Sequence, residues 1–158
     1  MSEALQAKPV RASRISLAQL MQPEHANTIG NVHGGWIMKL VDEAGALACM
    51  RHAQRRVVTV AIDSMSFRNP IKIGDLVLLT AEVTYVGTTS MEVEVLVHTE
   101  NPITADRTET NTAYLVYVAL DDNGKPVPVP PLLPESEEEK RKLAEARERQ
   151  ARRLAAKK

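Results

Sequence analysis

The sequence predicts a two-layer α+β domain, one long apolar helix packed against one curved antiparallel sheet. One stretch repeats its apolar residues at helical spacing, and the four stretches after it alternate with a period of two between turn signals. A length of 158 residues with a hydrophobic fraction of 44% gives room for one core and a tail.

Residues 1–12 read as a flexible leader and 15–21 as a first strand. Pro, Asn and Gly punctuate 23–31, which is loop chemistry. From there Trp36, Ile37, Leu40, Val41, Ala44, Leu47 and Ala48 form one apolar stripe, predicting a helix over 34–52 of about 28 Å. Gly45 inside it costs about 1 kcal/mol against Ala, and implies that something packs close to the helix backbone. Strands are predicted at 57–67, 76–86, 90–98 and 107–120, joined by short turns that favour antiparallel pairing. In 90–98, Met91, Val93, Val95 and Val97 share one face while Glu92 and Glu94 share the other. Strands this long imply strong curvature and bulges. Four of the nine prolines fall in 127–134, which reads as an extended linker after a domain over 13–126. Residues 135–158 are a charged helix former with Glu at its start and Arg/Lys at its end, expected to be a solvated extension, or else to pack on a neighbouring subunit or close over a ligand site.

Lys+Arg and Asp+Glu are both 20, so the net charge is zero and a dominant basic nucleic-acid footprint is absent. Aromatic residues make up 3%, too few for a base-stacking platform. The tail carries nine basic and six acidic residues, leaving the body with 11 and 14. Cys49 is the one cysteine, which excludes an internal disulfide and any multi-Cys metal site. No apolar run has bilayer length and no secretory signal is evident, so a cytoplasmic protein without membrane contact is expected.

Chemistry concentrates in 27–42. Gly34 and Gly35 stand at the helix start, where unpaired N–H groups offer donors to an anion or a polarised carbonyl. Asp42 follows about two turns later at the margin of the apolar face. Taken singly, such an acid is a boundary residue, a Gly-Gly pair is a turn, His33 is a cap, and Asn27 and Asn31 are ordinary loop residues. His25, His52 and His98 lack metal spacing, and Cys49 reads as core. Spacing alone leaves the function open.

Asn27-x-x-Gly30-x-x-His33-Gly34-Gly35, followed by Val41-Asp42-Glu43-Ala44-Gly45, closely resembles the acyl-CoA thioesterases of the hotdog fold, nearest to the cytosolic acyl-CoA hydrolases. The run Asp63 to Phe67 ahead of Arg68-Asn69-Pro70, then Ile73-Gly74-Asp75 and Thr110-Asn111-Thr112-Ala113-Tyr114, extends the resemblance over 13–134. The resemblance implies a hotdog fold of about five strands wrapped on the central helix, edge-to-edge dimers assembled as trimers of dimers, and hydrolysis of acyl-CoA to a carboxylic acid and CoA. It implies no metal or cofactor. It makes Asn27 and Asp42, from opposite subunits, the catalytic pair, with Asp42 as general base or nucleophile. His33, Gly34, Gly35, Arg68, Asn111 and Thr112 become candidates for substrate binding, and Arg55, Arg56, Lys72 and Arg107 further basic candidates for the CoA phosphates. Two other readings stand beside it: a non-catalytic acyl-CoA-binding hotdog module, and a dehydratase of the same fold using His33 with an acid.

Overall fold

The computed structural model describes residues 4–63 and 65–157; residues 1–3 of the expected leader, Ser64 of the expected second strand and Lys158 of the tail lie outside these. In chain order the elements are β1 (Lys8–Pro9), β2 (Ile15–Leu20), α1 (Gly34–Ala53), β3 (Arg56–Ile62), β4 (Leu76–Val86), β5 (Ser90–Glu100), β6 (Arg107–Leu120), β7 (Leu132–Leu133) and α2 (Glu137–Ala156). One antiparallel sheet runs β2-β4-β5-β6-β3 and curls around α1. Bulges at Thr59/Ala61, Val83/Tyr85 and Val97/His98 supply the curvature that the strand lengths imply.

The strand order departs from a simple meander. β3 and β4 are neighbours in sequence but lie on opposite sides of the β5–β6 pair. The helix delivers the chain to the far edge, and the connection after β3 returns beneath the helix start, where Val32 N–H donates to Ile71 O (2.7 Å). The expected strand over 57–67 therefore stops at Ile62. Asp63 N–H still donates to Tyr114 O (2.9 Å), but its carboxylate is drawn to Arg153 of α2 (2.8 Å), and the Asn111 amide then takes Ser66 O in place of a ladder bond.

α1 buries Ile37, Leu40, Val41, Ala44, Ala48 and Cys49 against the inward residues of the sheet. The stripe is narrower than the period suggests: Leu47 is 38% exposed at its margin, beside Ile15 and Leu17 of the edge strand β2. Gly45 meets the expected close neighbour. A Cβ there would lie 2.5 Å from Tyr117 Oη and 3.0 Å from Val93 Cγ1.

The tail is not a solvated extension. α2 lies across the outer face of its own sheet and buries Ala146. Ser136 caps it in a reciprocal box with Glu139. Glu92 and Glu94, on the face of β5 opposite Met91, Val93, Val95 and Val97, are covered: Arg149 grips Glu92 with two bonds (2.8 and 3.0 Å), Arg153 adds a third (3.0 Å), and Lys142 bridges Glu94 (2.9 Å) and Glu82 (3.1 Å). The Arg149 guanidinium also lies 3.7 Å from the Tyr114 ring centroid. A carboxylate withdrawn from water needs this pairing, since its desolvation cost is several kcal/mol.

Parts of the leader and linker are also held. β1 pairs in parallel with β7, Val10 and Val129 are buried, and Val129 N–H donates to Thr88 O (3.0 Å). Beneath them His52 is fully buried, its Nε2–H donating to Pro130 O (2.7 Å) while Nδ1 has no partner among the described residues. Burial, reinforced by the Lys8 charge and partly offset by the Pro130 bond, lowers its pKa below the ordinary histidine value.

Two outcomes are expected. Arg149→Ala leaves Glu92 with one cation and removes the stacking on Tyr114, so denaturant unfolding should show a loss of about 2–4 kcal/mol; a loss below about 0.5 kcal/mol, the scale of exposed pairs, contradicts it. For His52, the unfolded chain takes up a proton at a pH where the native ring does not, so stability falls as pH drops below about 6.5 toward the depressed native value. His52→Gln should flatten that part of the melting-temperature profile, and an unchanged slope contradicts the assignment.

Candidate active site

Asn27 sits in the loop ahead of α1. Its Oδ1 accepts from Ile29 N–H (3.0 Å) and Asn31 N–H (3.1 Å), and its backbone N–H donates to Asn31 O (2.7 Å). Gly30, at φ +86°, supplies the left-handed residue this tight turn requires. The side-chain oxygen is thus committed to the loop, and the NH2 group is what Asn27 can offer a ligand. Behind it His25 is buried edge-on to Trp36, with ring centroids 4.6 Å apart, which ties the loop to the first turn of the helix.

His33 caps α1 as expected, with Nδ1 accepting from Gly35 N–H (2.9 Å). That bond changes the reading of the glycine pair. The Gly35 amide is occupied, while the Gly34 amide has no backbone or side-chain acceptor among the described residues. The Phe67 ring stands over Gly34, with the nearest ring carbon 3.5 Å from where a Cβ would be. Asn27, Asn31, Gly34, Ile37, Phe67 and Asn69 line a cavity of about 210 Å³.

Asp42 is half-buried on the side of α1 that faces β3 and β6. Its Oδ1 accepts from Thr59 Oγ1 (2.7 Å) and from Tyr117 Oη (2.9 Å), and Tyr117 Oη also lies 2.9 Å from the Asp42 carbonyl oxygen. Among the described residues nothing hydrogen-bonds Oδ2. Burial, with the Asp42 hydrogen bond and charge, drives the Tyr117 phenol well above its ordinary pKa, so it remains a donor. Neither Thr59 nor Tyr117 is legible as a site residue in the sequence. The one signal is Gly45, which marks a close neighbour without naming it.

The two centres lie apart within one chain. Gly34 and Asp42 are separated by about 12 Å along the helix, and Asp42 does not line the Asn27 cavity. Other candidates are scattered. Arg68 is exposed with no ion pair among the described residues. Asn111 is buried, its amide donating to Ser66 O and its Oδ1 without a partner among the described residues. Thr112 is half-buried opposite Leu96, on the other face of β6 from Asn111. Arg55, Arg56 and Lys72 are exposed, and Arg107 stands 3.9 Å from Glu100.

A family model described as the thioesterase superfamily matches residues 29–105. The chain is 42% identical over 134 residues to the uncharacterized acyl-CoA thioester hydrolase YkhA of Bacillus subtilis (strain 168), covering 85% of this chain and 74% of that protein. It is 36% identical over 142 residues to the cytosolic acyl coenzyme A thioester hydrolase of Rattus norvegicus, covering 89% of this chain; it spans only 37% of the rat protein's length. Among solved structures, an apo-hexameric acyl-CoA thioesterase superposes with a TM-score of 0.92 at 41% identity, over 96% of this chain and 97% of that one. An acyl-CoA hydrolase from Staphylococcus aureus, solved in complex with butyryl coenzyme A, coenzyme A and coenzyme A disulfide, superposes with a TM-score of 0.88 at 36% identity, over 96% and 92%. Sequence and fold agree, and the chain belongs to the hotdog-fold acyl-CoA thioesterases of the thioesterase superfamily.

Proposed function

We propose that this protein hydrolyses the thioester of acyl-CoA to a carboxylic acid and CoA, with Asp42 activating water. The observation that carries the reading is the Asp42 carboxylate: half-buried, held through Oδ1 by two hydroxyl donors, and open at Oδ2. A carboxylate so placed accepts a proton from water as that water attacks the thioester carbonyl carbon. The resulting oxyanion needs preorganised donors, and the Gly34 amide at the positive end of α1 and the Asn27 NH2 are two near the helix start that have no acceptor among the described residues. Collapse of the tetrahedral intermediate breaks the C–S bond and releases the CoA thiolate, a leaving group stable enough to need no strong general acid. The chemistry calls for no metal or redox cofactor.

Because Asn27 and Asp42 are distant within one chain, a complete site takes Asp42 from one protomer and Asn27 from another. The β3 edge is the surface for that association. It carries unpaired ladder groups and exposes Val58, Val60 and Ile62, the kind of edge that invites pairing with a second strand. Three such dimers would make a hexamer, the assembly named for the apo-hexameric thioesterase neighbour. Arg68, exposed between the cavity-lining Phe67 and Asn69, is a candidate to meet a CoA phosphate near the Gly34 cavity. A cytoplasmic location agrees with the cytosolic rat relative, and no helix among the described residues is long and apolar enough to cross a membrane.

Thiol release from a panel of acyl-CoAs, short to long, tests the reaction. The native protein should release CoA, and Asp42→Ala should lower the rate by at least about 100-fold. A native protein that binds CoA and releases no thiol contradicts the reading. Site composition is tested by mixing Asn27→Ala with Asp42→Ala chains after dissociation and reassembly. Shared sites should restore up to about a quarter of native activity, because mixed pairs regain one intact site; no gain over the separate variants contradicts a site built from two chains.

A further inference from the structure

The geometry points to Tyr117 as a positioning residue that, through its hydroxyl, fixes which oxygen of Asp42 acts on water. This deepens the thioester-hydrolysis reading and rests on it. Tyr117 is fully buried in β6, yet its hydroxyl emerges at the helix, 2.9 Å from Asp42 Oδ1 and 2.9 Å from the Asp42 carbonyl oxygen. A buried phenol must find an acceptor, and both acceptors within its reach belong to Asp42, the carboxylate Oδ1 and the backbone carbonyl. Thr59 of β3 donates to the same Oδ1 at 2.7 Å. Two donors from two strands on one oxygen leave the carboxylate a single orientation and direct its unshared oxygen, Oδ2, to the water. The helix is cut to admit this contact. At residue 45 any side chain would press on the hydroxyl, since a Cβ would lie 2.5 Å from Tyr117 Oη. Glycine inside a helix costs about 1 kcal/mol, and the space it leaves is filled by Tyr117 and Val93. Burial keeps the phenol protonated, so it donates throughout the working pH range and takes no part as a base.

The role predicts a defect in turnover and little in binding. Tyr117 reaches the reacting water only through Asp42, so it is not itself a catalytic residue. Tyr117→Phe keeps the ring and removes the donor. Losing a hydrogen bond to a charged group should lower kcat about 10- to 100-fold while KM stays within about twofold. In an Asp42→Ala background the same change should have no further effect on kcat, because nothing is left to position. Gly45→Ala gives an independent approach: it keeps the hydroxyl but displaces it, and should lower kcat in the same way.

The decisive experiment measures thiol release and melting temperature for the native protein, Tyr117→Phe, Asp42→Ala, their double variant and Gly45→Ala. The expected result is the kcat-only loss in both Tyr117→Phe and Gly45→Ala, absent in the Asp42→Ala background. Native-like kcat in Tyr117→Phe, or an equal loss with and without Asp42, overturns the assignment. If the native protein releases no thiol, thioester hydrolysis itself has failed. The melting temperatures then judge the contact alone, with additive shifts in the double variant overturning it and non-additive shifts sustaining the link.

Discussion

The approach of α1 to the sheet at Gly45 is the constraint on which the rest of the molecule depends. Tyr117 and Val93 occupy the space where a side chain would stand, so helix and sheet meet there at backbone range. That contact sets the rotation of the helix as well as its depth. With the rotation set, Ile37, Leu40, Val41, Ala44 and Ala48 face the core, and Asp42 comes to the hydroxyls of Thr59 and Tyr117 instead of to bulk water. Eight residues back, the same rotation brings the helix start beneath Phe67 and against the Asn27 loop. One packing decision therefore places both halves of the candidate site.

The outer face of the sheet follows a different rule. Glu82, Glu92 and Glu94 project away from α1, and α2 covers them with Arg149, Arg153 and Lys142. This third layer uses charge where the inner layer uses apolar area. Buried ion pairs gain little over apolar packing, but removing one partner is costly, so such a layer specifies position more than it adds stability. The Arg153–Asp63 pair (2.8 Å) ties the end of α2 to the point where the chain leaves β3.

Much of this was legible in the residues. The helical stripe, the long alternating strands and the glycine at 45 gave the α1–sheet pair, because period and turn chemistry are local properties. β4 and β6 begin and end where turn signals place them. The crossing of β3 to the far edge was not legible, since it depends on where the helix ends relative to the sheet. Nor was the placement of α2, because nothing local in the alternating strand shows that Glu92 is met by cations some sixty residues away. At the site, Asn27 and Asp42 stood out only as a motif. Thr59 and Tyr117 did not, since a strand threonine and a strand tyrosine carry no local mark of what they face, and the Gly35 amide proved to be engaged by His33.

The central claim is that the Oδ2 oxygen of Asp42 activates water beside a carbonyl held from a second chain. A crystal structure with an acyl-CoA analogue in which methylene replaces the thioester sulfur tests it most directly. The analogue's carbonyl oxygen should lie on the Gly34 amide and Asn27 of one protomer. A water should lie between the carbonyl carbon and Oδ2 of the other protomer's Asp42, with Thr59 and Tyr117 still on Oδ1. A carbonyl bound away from Asp42, or an Asp42 turned so that Oδ2 meets the two hydroxyls, would contradict it.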